Sequence, residues 1–316
     1  MTRMLGRTAS GLFWMARYLE RLENSARLIE AGFRMSLTRE HRAQSEWESV
    51  LTTAGIDELY RSTFGNIKSK QVVDFMVAAR DNPGSLANSI IAARSNARMT
   101  RTALTRDVWE AVNETWLILT QEFSQGRHNT DLPDLLSTVR RHAALVRGSI
   151  DSTMLRNDIF CFVKLGALIE RADNTARILD TKYYVLLPAS ASVGSSLDRV
   201  QWEMILRSAS ADRSFHWLNG GEINPASIVD FLIHDIRLPR SIAYCYDMIN
   251  EALEELHIFY GETKLSHDLA TDLEDHITAS SSQTIIGSGL HEFLRDFISR
   301  NALLSDQIEA DYRFSK

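Results

Sequence analysis

The stretch ERLENSARLI, residues 20–29, returns as ERADNTARIL at residues 170–179. Five of the ten positions are identical, and four more exchange close relatives such as Glu for Asp and Ser for Thr. Within the first stretch Glu20, Glu23, Asn24 and Arg27 lie three or four positions apart, so a helix would place them on one stripe. The repeat therefore predicts two equivalent helices that carry the same polar stripe.

The duplication extends well beyond this motif. The dipeptide WE at 47–48 faces WE at 202–203, and VVDF at 72–75 faces IVDF at 228–231. The offset between the matched blocks is 150, then 155, then 156 residues, which is the slow drift that short loop insertions produce. We therefore predict two pseudo-equivalent halves of about 155 residues in one compact unit, a first copy at 1–155 and a second copy at 156–316.

Periodicity and helix-start signals indicate the fold class. Apolar residues of the first motif segment recur three or four positions apart, at Leu12, Met15, Leu19, Leu22, Ala26, Ile29 and Phe33. Asn157-Asp158 and Pro133 are residues that favour a helix start, and proline occurs only 5 times in the chain, which favours long helices. We predict an all-α helical bundle, interrupted by flexible Ser-rich segments at 188–196 and 278–289.

Composition excludes several classes of protein. The chain has a net charge of −6 and only two cysteines, so neither a disulfide framework nor a nucleic-acid-binding surface is expected. No apolar run reaches the ~18 residues that cross a bilayer, and the N-terminal region lacks the apolar stretch of a signal peptide. We therefore expect a cytoplasmic protein with no nucleic-acid or membrane partner, and we expect its six tryptophans to lie in the core.

The duplicated polar stripe allows two interpretations. An exposed Glu–Arg pair contributes only about 0.2–0.5 kcal/mol, whereas stranding one partner of a buried pair costs roughly 3–5 kcal/mol. The stripe is therefore either a buried structural seam or a site that holds a ligand. In the second case Glu20 and Glu170 are candidate acid/base residues, and the candidate ligand-binding residues of the two motif segments are Arg21, Glu23, Asn24, Arg27, Arg171, Asp173, Asn174 and Arg177.

A second basic stripe follows in the first copy. Arg94, Arg98 and Arg101 lie at i, i+4 and i+7, and guanidiniums on one helix face bind carboxylates or phosphates well. We expect them to pair with the Glu20 stripe or, for Arg94 and Arg98, to bind an anionic ligand.

Motifs for other chemistry are weak. Helix-bundle metal sites use Glu-x-x-His pairs, of which the chain offers one, Glu254 with His257. A carboxylate-bridged metal site therefore stays an alternative without assigned ligands. Neither a glycine-rich phosphate loop nor a nucleophile-elbow motif is present.

Several blocks of the chain together resemble the bacterial alpha-E family, an all-helical family named for a Glu-Arg motif. The blocks are LFWMARYLERLENSARLIE (12–30), AARSNARMTRTALTRDVWEAVN (92–113), IERADNTARILDTKYYVLLP (169–188) and WEMILRSAS (202–210). The motif falls at Glu20-Arg21 and Glu170-Arg171. Genes of this family typically lie beside circularly permuted ATP-grasp ligases and transglutaminase-like cysteine peptidases, and some are fused to the ligase.

The resemblance implies a pathway more than a reaction. It implies an ATP-grasp ligase as partner, a transglutaminase-like peptidase as a second one, and a peptide or amino-acid substrate. ATP and magnesium would act through the ligase, and the protein would have no cofactor of its own. Our leading hypothesis is a protein that holds an anionic peptide or acyl intermediate in a Glu/Arg-lined cleft. The rival is a non-catalytic helical scaffold that docks on the ligase, so whether the protein is itself an enzyme stays open.

Overall fold

The structure is a computed structural model that describes residues 4–38, 43–186, 196–220 and 223–314. Within these ranges the chain forms sixteen α-helices and no β-strand. The predicted all-α fold is therefore confirmed. None of the described helices combines the length and the apolar character needed to cross a bilayer.

The helices follow one another in two series. The first series is α1 (Gly6–Thr38), α2 (Ala43–Ala54), α3 (Asp57–Phe64), α4 (Ser69–Val77), α5 (Leu86–Met99), α6 (Arg106–Ser124), α7 (Arg127–Thr130) and α8 (Leu132–Thr153). The second series is α9 (Asp158–Leu186), α10 (Ser196–Ser208), α11 (Asp212–Asn219), α12 (Pro225–Ile233), α13 (Ile242–Tyr260), α14 (Leu265–Ala279), α15 (Ser282–Ser288) and α16 (Leu290–Asp311). Each series thus opens with a long helix that carries one copy of the Glu-Arg motif.

The chain divides into two compact units. The first unit comprises Met1–Ala167 together with Arg313–Lys316, and the second comprises Leu168–Tyr312. Helix α9 begins in the first unit and ends in the second. The sequence-based division at 155/156 stays a prediction.

Matching turns identify equivalent positions in the two copies. Gly55 ends α2 with φ of 68°, and Ser210 follows α10 with φ of 56°. The next amide in each copy reaches back to the same point of the preceding helix, from Ile56 to the Leu51 carbonyl at 3.0 Å and from Ala211 to the Leu206 carbonyl at 2.7 Å. These turns lie 155 residues apart, so the sequence repeat corresponds to a repeat of backbone structure.

Core contacts repeat at nearly the same offset, 155 residues from Tyr60 to Phe215 and 156 residues from Phe75 to Phe231. The rings of Tyr60 and Phe75 lie 5.4 Å apart between centroids, and those of Phe215 and Phe231 lie 5.6 Å apart. All four side chains are buried. Each pair joins the short helix after the turn to the helix that follows it, so α3 and α11 occupy the same position within their own copies.

The long helix α1 is the centre of the first unit. It contacts α2, α5 and α8, and its apolar stripe, including Leu12, Leu22 and Ile29, is buried. Gly32 allows one of these close approaches, because a Cβ at this position would collide with the Val50 side chain of α2. The predicted stripe of α1 is therefore the face that builds the core.

Two expectations about particular segments are wrong. The Ser-rich segment 278–289 is not a flexible loop throughout, because it contains α15, whose first turn is capped by Ser281 accepting a hydrogen bond from the Thr284 amide at 3.1 Å. Trp217 is not in the core but 80% exposed, because Phe215 takes the buried face of α11 and the residue two positions later points the other way. The segment 188–196 lies, except for its last residue, outside the described ranges.

Candidate functional site

The first motif places its acidic residues inside the protein. Glu20 is 4% exposed, Glu23 1% and Asn24 4%, while Arg21 is half-buried. These side chains border the apolar stripe of α1, so the neighbouring helices that cover the stripe also cover them. The motif acids of this copy therefore lie among packed side chains.

Glu23 is held by two arginines from different helices. Arg27, one turn later on α1, donates through Nη2 to Oε1 of Glu23 at 2.6 Å. Arg147 of α8 donates through Nη2 to the other carboxylate oxygen, Oε2. A nearly inaccessible carboxylate with a guanidinium on each oxygen is stabilised in its ionised form.

The same arrangement recurs two helical turns further along. Glu30 of α1 pairs with Arg34 of α1 at 2.8 Å and with Arg140 of α8 at 3.0 Å. Seven residues separate Glu23 from Glu30, Arg27 from Arg34, and Arg140 from Arg147. Helices α1 and α8 therefore run antiparallel and share a polar seam that we call the Glu–Arg ladder, which comprises Glu23, Arg27, Glu30, Arg34, Arg140 and Arg147.

The ladder contains four guanidiniums and two carboxylates, and Glu20 is a third carboxylate close enough to act on Arg27. Burial lowers the pKa of Arg27, and the nearby charge of Arg140 lowers it further, while Glu20 and Glu30 act in the opposite direction. Arg27 is therefore close to a second guanidinium. Such a half-buried concentration of cations favours binding of an added carboxylate or phosphate.

Sequence reasoning found only part of this ladder. It predicted Glu23 and Arg27 as candidate site residues. It did not predict the other four members of the ladder, which are Glu30, Arg34, Arg140 and Arg147. The signal that could have found them is the repetition of Glu-x-x-x-Arg in ENSAR and EAGFR, seven residues apart, matched by the same spacing in RRHAALVR.

The second motif is also anchored by its polar residues. Glu170 is 6% exposed, and Asp173 pairs with Arg177 at 2.7 Å. Arg171 donates to the Pro239 carbonyl at 3.2 Å, and Thr175 donates to the Arg240 carbonyl at 2.8 Å. These two bonds attach α9 to the turn that precedes α13. Asn174 lies beside them and is half-buried.

The second unit keeps a counterpart of the ladder with different chemistry. Asp180 follows Asp173 by seven residues, and its carboxylate lies 2.5 Å from Nδ1 of His291 on α16. His291 is thus the partner of Asp180 from the last helix of the second copy, as Arg140 of α8 is the partner of Glu30 in the first copy. The acidic residue two turns after the motif is retained in both copies, while its partner from the last helix changes from arginine to histidine.

A buried hydrogen-bond chain lies close to the second motif. Tyr246 of α13 donates from its hydroxyl to Oδ1 of Asn301 at 2.8 Å, and Asn301 donates to the Ile169 carbonyl at 3.2 Å. Complete burial raises the pKa of Tyr246 well above its ordinary value, and the charge of Asp173 adds to this effect. This tyrosine is therefore a neutral hydrogen-bond donor at physiological pH.

Two arginines of the second basic stripe contact residues of α6. Arg94 donates to Asn113 Oδ1 at 2.9 Å, and its guanidinium carbon lies 3.8 Å from the centre of the Trp116 ring. Arg101 lies 5.0 Å from the centre of the Trp109 ring, while Arg98 is exposed. The partners of Arg94 thus come from α6 and not from the Glu20 stripe. Ligand binding by Arg94 and Arg98 stays a prediction.

The metal alternative gains no support from the described part of the chain. Within those ranges no group of three or more His, Cys, Asp or Glu side chains is arranged to hold a metal ion. The pair Glu254 and His257, both on α13, belongs to no such group.

Comparison with known proteins gives relatives but no solved structure. An uncharacterized protein of Mycobacterium bovis and one of Mycobacterium tuberculosis strain CDC 1551 are each 25% identical to the chain, and one of strain H37Rv is 24% identical. Each alignment covers 92% of this chain but 36% of the relative, so the chain spans about a third of the length of these relatives. No solved structure matches the chain.

A family profile matches nearly the whole length. It is the profile of Alpha-E, described as a predicted alpha-helical domain with a conserved ER motif, and the match covers residues 4–312. The all-helical structure and the Glu-Arg dipeptides at Glu20-Arg21 and Glu170-Arg171 agree with that description. The chain therefore belongs to the Alpha-E family.

Proposed function

We propose that this protein works with an ATP-grasp ligase in forming a peptide or amide bond, and that it holds the anionic peptide or acyl intermediate on the Glu–Arg ladder. The observation that supports this proposal is the excess of guanidiniums in the ladder, where Glu23 and Glu30 each receive two. The partnership with a ligase is supported by the resemblance to the family, and the ligand class by the chemistry of arginine.

The ladder offers cations that a ligand can reach. The side chains of Arg34, Arg140 and Arg147 are 66%, 30% and 40% exposed, whereas Glu23 is almost inaccessible. A carboxylate or acyl phosphate approaching from solvent would meet the forks of these arginines and could be bound by two parallel hydrogen bonds. The buried glutamates would keep the guanidiniums oriented for such a ligand.

Glu20 and Glu170 are the proton acceptors of this proposal. Burial disfavours the charged form of a carboxyl group, and a carboxylate in such surroundings accepts a proton from an attacking amine more readily. Both residues are buried and lie on the duplicated helices. Glu20 would take the proton that the amine loses as the amide bond forms on the ladder, and Glu170 would have the same role within the second unit.

A reconstituted reaction tests the proposal. The ligase partner, ATP, magnesium and a candidate peptide substrate are combined with the wild-type protein or with Glu20→Gln, Glu170→Gln or the double variant Arg140→Gln/Arg147→Gln. We expect product formation to fall by about tenfold or more in each variant, since each would lose roughly 1.4 kcal/mol or more of transition-state stabilisation.

The matched control is Glu110→Gln, which breaks the exposed pair between Arg106 and Glu110 on α6. It should leave both product and melting temperature unchanged. Full product from the three test variants, with melting temperatures near that of the wild type, would contradict the proposal.

A non-catalytic scaffold is the second candidate, and the saturation of Glu23 favours it. Both oxygens of this carboxylate are already occupied by Arg27 and Arg147, as in a purely structural ion pair. A scaffold would bind the ligase without binding substrate. Calorimetric titration with the ligase alone and with the peptide alone separates the two candidates.

A further inference from the structure

An open groove of about 400 Å³ lies between α10 and α11 in the second unit. Its lining residues are Glu203, Arg207, Asp212, Arg213, His216 and Trp217. The indole of Trp217 is 80% exposed. Covering this side chain would remove a large apolar area from water, so Trp217 can contribute strongly to the binding of a partner.

The fold itself does not require this tryptophan. The turns at Gly55 and Ser210 fix the register of the two copies at an offset of 155 residues. At this offset Trp217 corresponds to Ser62, and Arg213 corresponds to Glu58. The same helix of the same architecture therefore exists in the first copy with a small polar residue and an acid at these positions.

The first copy has an ion pair at the equivalent place. Arg61 of α3 forms an ion pair with Glu48 of α2, whereas the corresponding residues His216 and Glu203 do not pair. In the second copy Nδ1 of His216 instead lies 2.7 Å from the Asp212 carbonyl, to which it donates. The space that an ion pair spans in the first copy is left open in the second.

The charged side chains of the groove differ in whether they form ion pairs. Glu203 lies between Arg199 at 3.8 Å and Arg207 at 3.6 Å, distances too long for good hydrogen bonds. Arg213 is exposed and has no ion pair with any described residue. The groove thus combines an exposed aromatic ring and the carboxylates of Glu203 and Asp212 with two guanidiniums. Arg213 forms no ion pair with a described residue, and Arg207 is held only at 3.6 Å by Glu203.

We propose that this groove binds a peptide segment that carries an acidic side chain next to an aromatic one. The aromatic ring would stack on Trp217, and the carboxylate would pair with Arg213. Tryptophan and arginine are the residues that most often dominate peptide and protein binding, and the groove has room for a few side chains but no enclosed cavity. This inference does not depend on the ladder or on Glu20 and Glu170.

The test uses three short peptides and fluorine NMR. The protein is produced with 5-fluorotryptophan, and the resonance of Trp217 is assigned as the one of six that Trp217→Ser removes. The probe is acetyl-Asp-Phe-Asp-amide, with acetyl-Lys-Phe-Lys-amide and acetyl-Asp-Ala-Asp-amide for comparison. We expect the first peptide to shift the Trp217 resonance alone, and the other two to bind at least about fivefold more weakly.

Two variants install the residues of the first copy and therefore should fold normally. Trp217→Ser should weaken binding of acetyl-Asp-Phe-Asp-amide by about tenfold or more, and Arg213→Glu by about threefold or more. Ser62→Ala and Glu58→Gln, at the equivalent positions of the first copy, should leave the affinity unchanged. Equal affinity in wild type and Trp217→Ser, or an unshifted Trp217 resonance at saturating peptide, would overturn the proposal.

Discussion

Glu23 of α1 and Arg147 of α8 form an ion pair although 124 residues separate them in the chain. Their surroundings differ, because the carboxylate is 1% exposed and the guanidinium 40% exposed. If the carboxylate is lost, its arginines can turn toward water. If the arginines are lost, the carboxylate stays buried without these two guanidiniums. Removing the arginines should therefore cost more stability than removing the carboxylate, and mutants can measure this difference.

We expect the double variant Arg27→Gln/Arg147→Gln to lose roughly 3–5 kcal/mol of unfolding free energy, because it strands a buried charge. Glu23→Gln should lose clearly less. Urea denaturation monitored by circular dichroism gives both values. The exposed pair of Arg106 with Glu110 supplies the control, since Arg106→Gln should change stability by less than about 0.5 kcal/mol. An equal loss for the carboxylate and the arginine variants would contradict the asymmetry.

A close backbone approach within the first unit makes a second prediction. A Cβ at Gly166 would collide with the carbonyl group of Phe13, which is backbone and cannot rotate away. Gly166→Ala should therefore destabilise the protein by about 1–3 kcal/mol. Gly148 on α8 is the matched control, because nothing lies within 4 Å of the added atom there.

Gly148→Ala should stabilise the protein by about 0.5–1 kcal/mol, since alanine is the better helix former. Thermal melting of the two variants beside the wild type should give shifts of opposite sign. Shifts of the same sign would show that the approach of Gly166 to Phe13 is not maintained in solution.

The turn between α2 and α3 and its counterpart after α10 provide a third prediction. The left-handed conformation suits Gly55 but costs roughly 1–2 kcal/mol for a residue with a side chain, such as Ser210. Gly55→Ser should destabilise the protein by about 1 kcal/mol. Ser210→Gly should have a smaller effect of opposite sign. It removes the backbone strain of the folded state, but glycine also raises the conformational entropy of the unfolded chain, which offsets part of that gain in stability. Denaturant midpoints measure both, and a neutral Gly55→Ser would refute the argument.

Tyr246 makes the stability depend on alkaline pH. Burial raises the pKa of this group in the folded protein, so above the ordinary tyrosine pKa of about 10 the unfolded chain releases a proton that the folded chain keeps. The unfolded state then binds fewer protons, and the unfolding free energy falls as the pH rises.

Tyr246→Phe separates this effect from the hydrogen bond to Asn301. At neutral pH the variant should lose about 1–3 kcal/mol, because Asn301 keeps a buried oxygen without its donor. The deficit relative to wild type should shrink above about pH 10. Tyr244→Phe, at a half-buried position of the same helix, is the control and should lose less at neutral pH. A deficit for Tyr246→Phe that stays constant up to pH 11 would contradict the linkage.

Local signals in the sequence were sufficient for the long helices. Asn157-Asp158 predicted the start of the helix that the structure gives as α9, Asp158–Leu186. Pro133 lies in the first turn of α8 as expected. These signals act within a few residues of the helix end, so they can be recognised without knowledge of the fold.

Features that depend on which helices meet could not be found in this way. Arg140 and Arg147 become partners of Glu30 and Glu23 only because α8 lies antiparallel to α1. The seven-residue spacing in RRHAALVR matches that of the glutamates, but it does not specify which helix is the neighbour of α1. The prediction that Trp217 lies in the core was wrong for a related reason. Helical spacing alone does not tell which side of a two-turn helix faces the core, and Phe215 decides it in the folded protein.

The equivalent turns at Gly55 and Ser210 bear on how such a chain can diversify. Because each copy carries its own complete set of contacts around Tyr60–Phe75 or Phe215–Phe231, either surface can acquire mutations without loss of its interior. After a duplication, the surface of one copy could then change for a new role while the surface of the other copy stayed the same. Ser62 and Trp217 mark the place where this divergence is plainest, and a tryptophan introduced at 62 would show whether the specialisation is transferable.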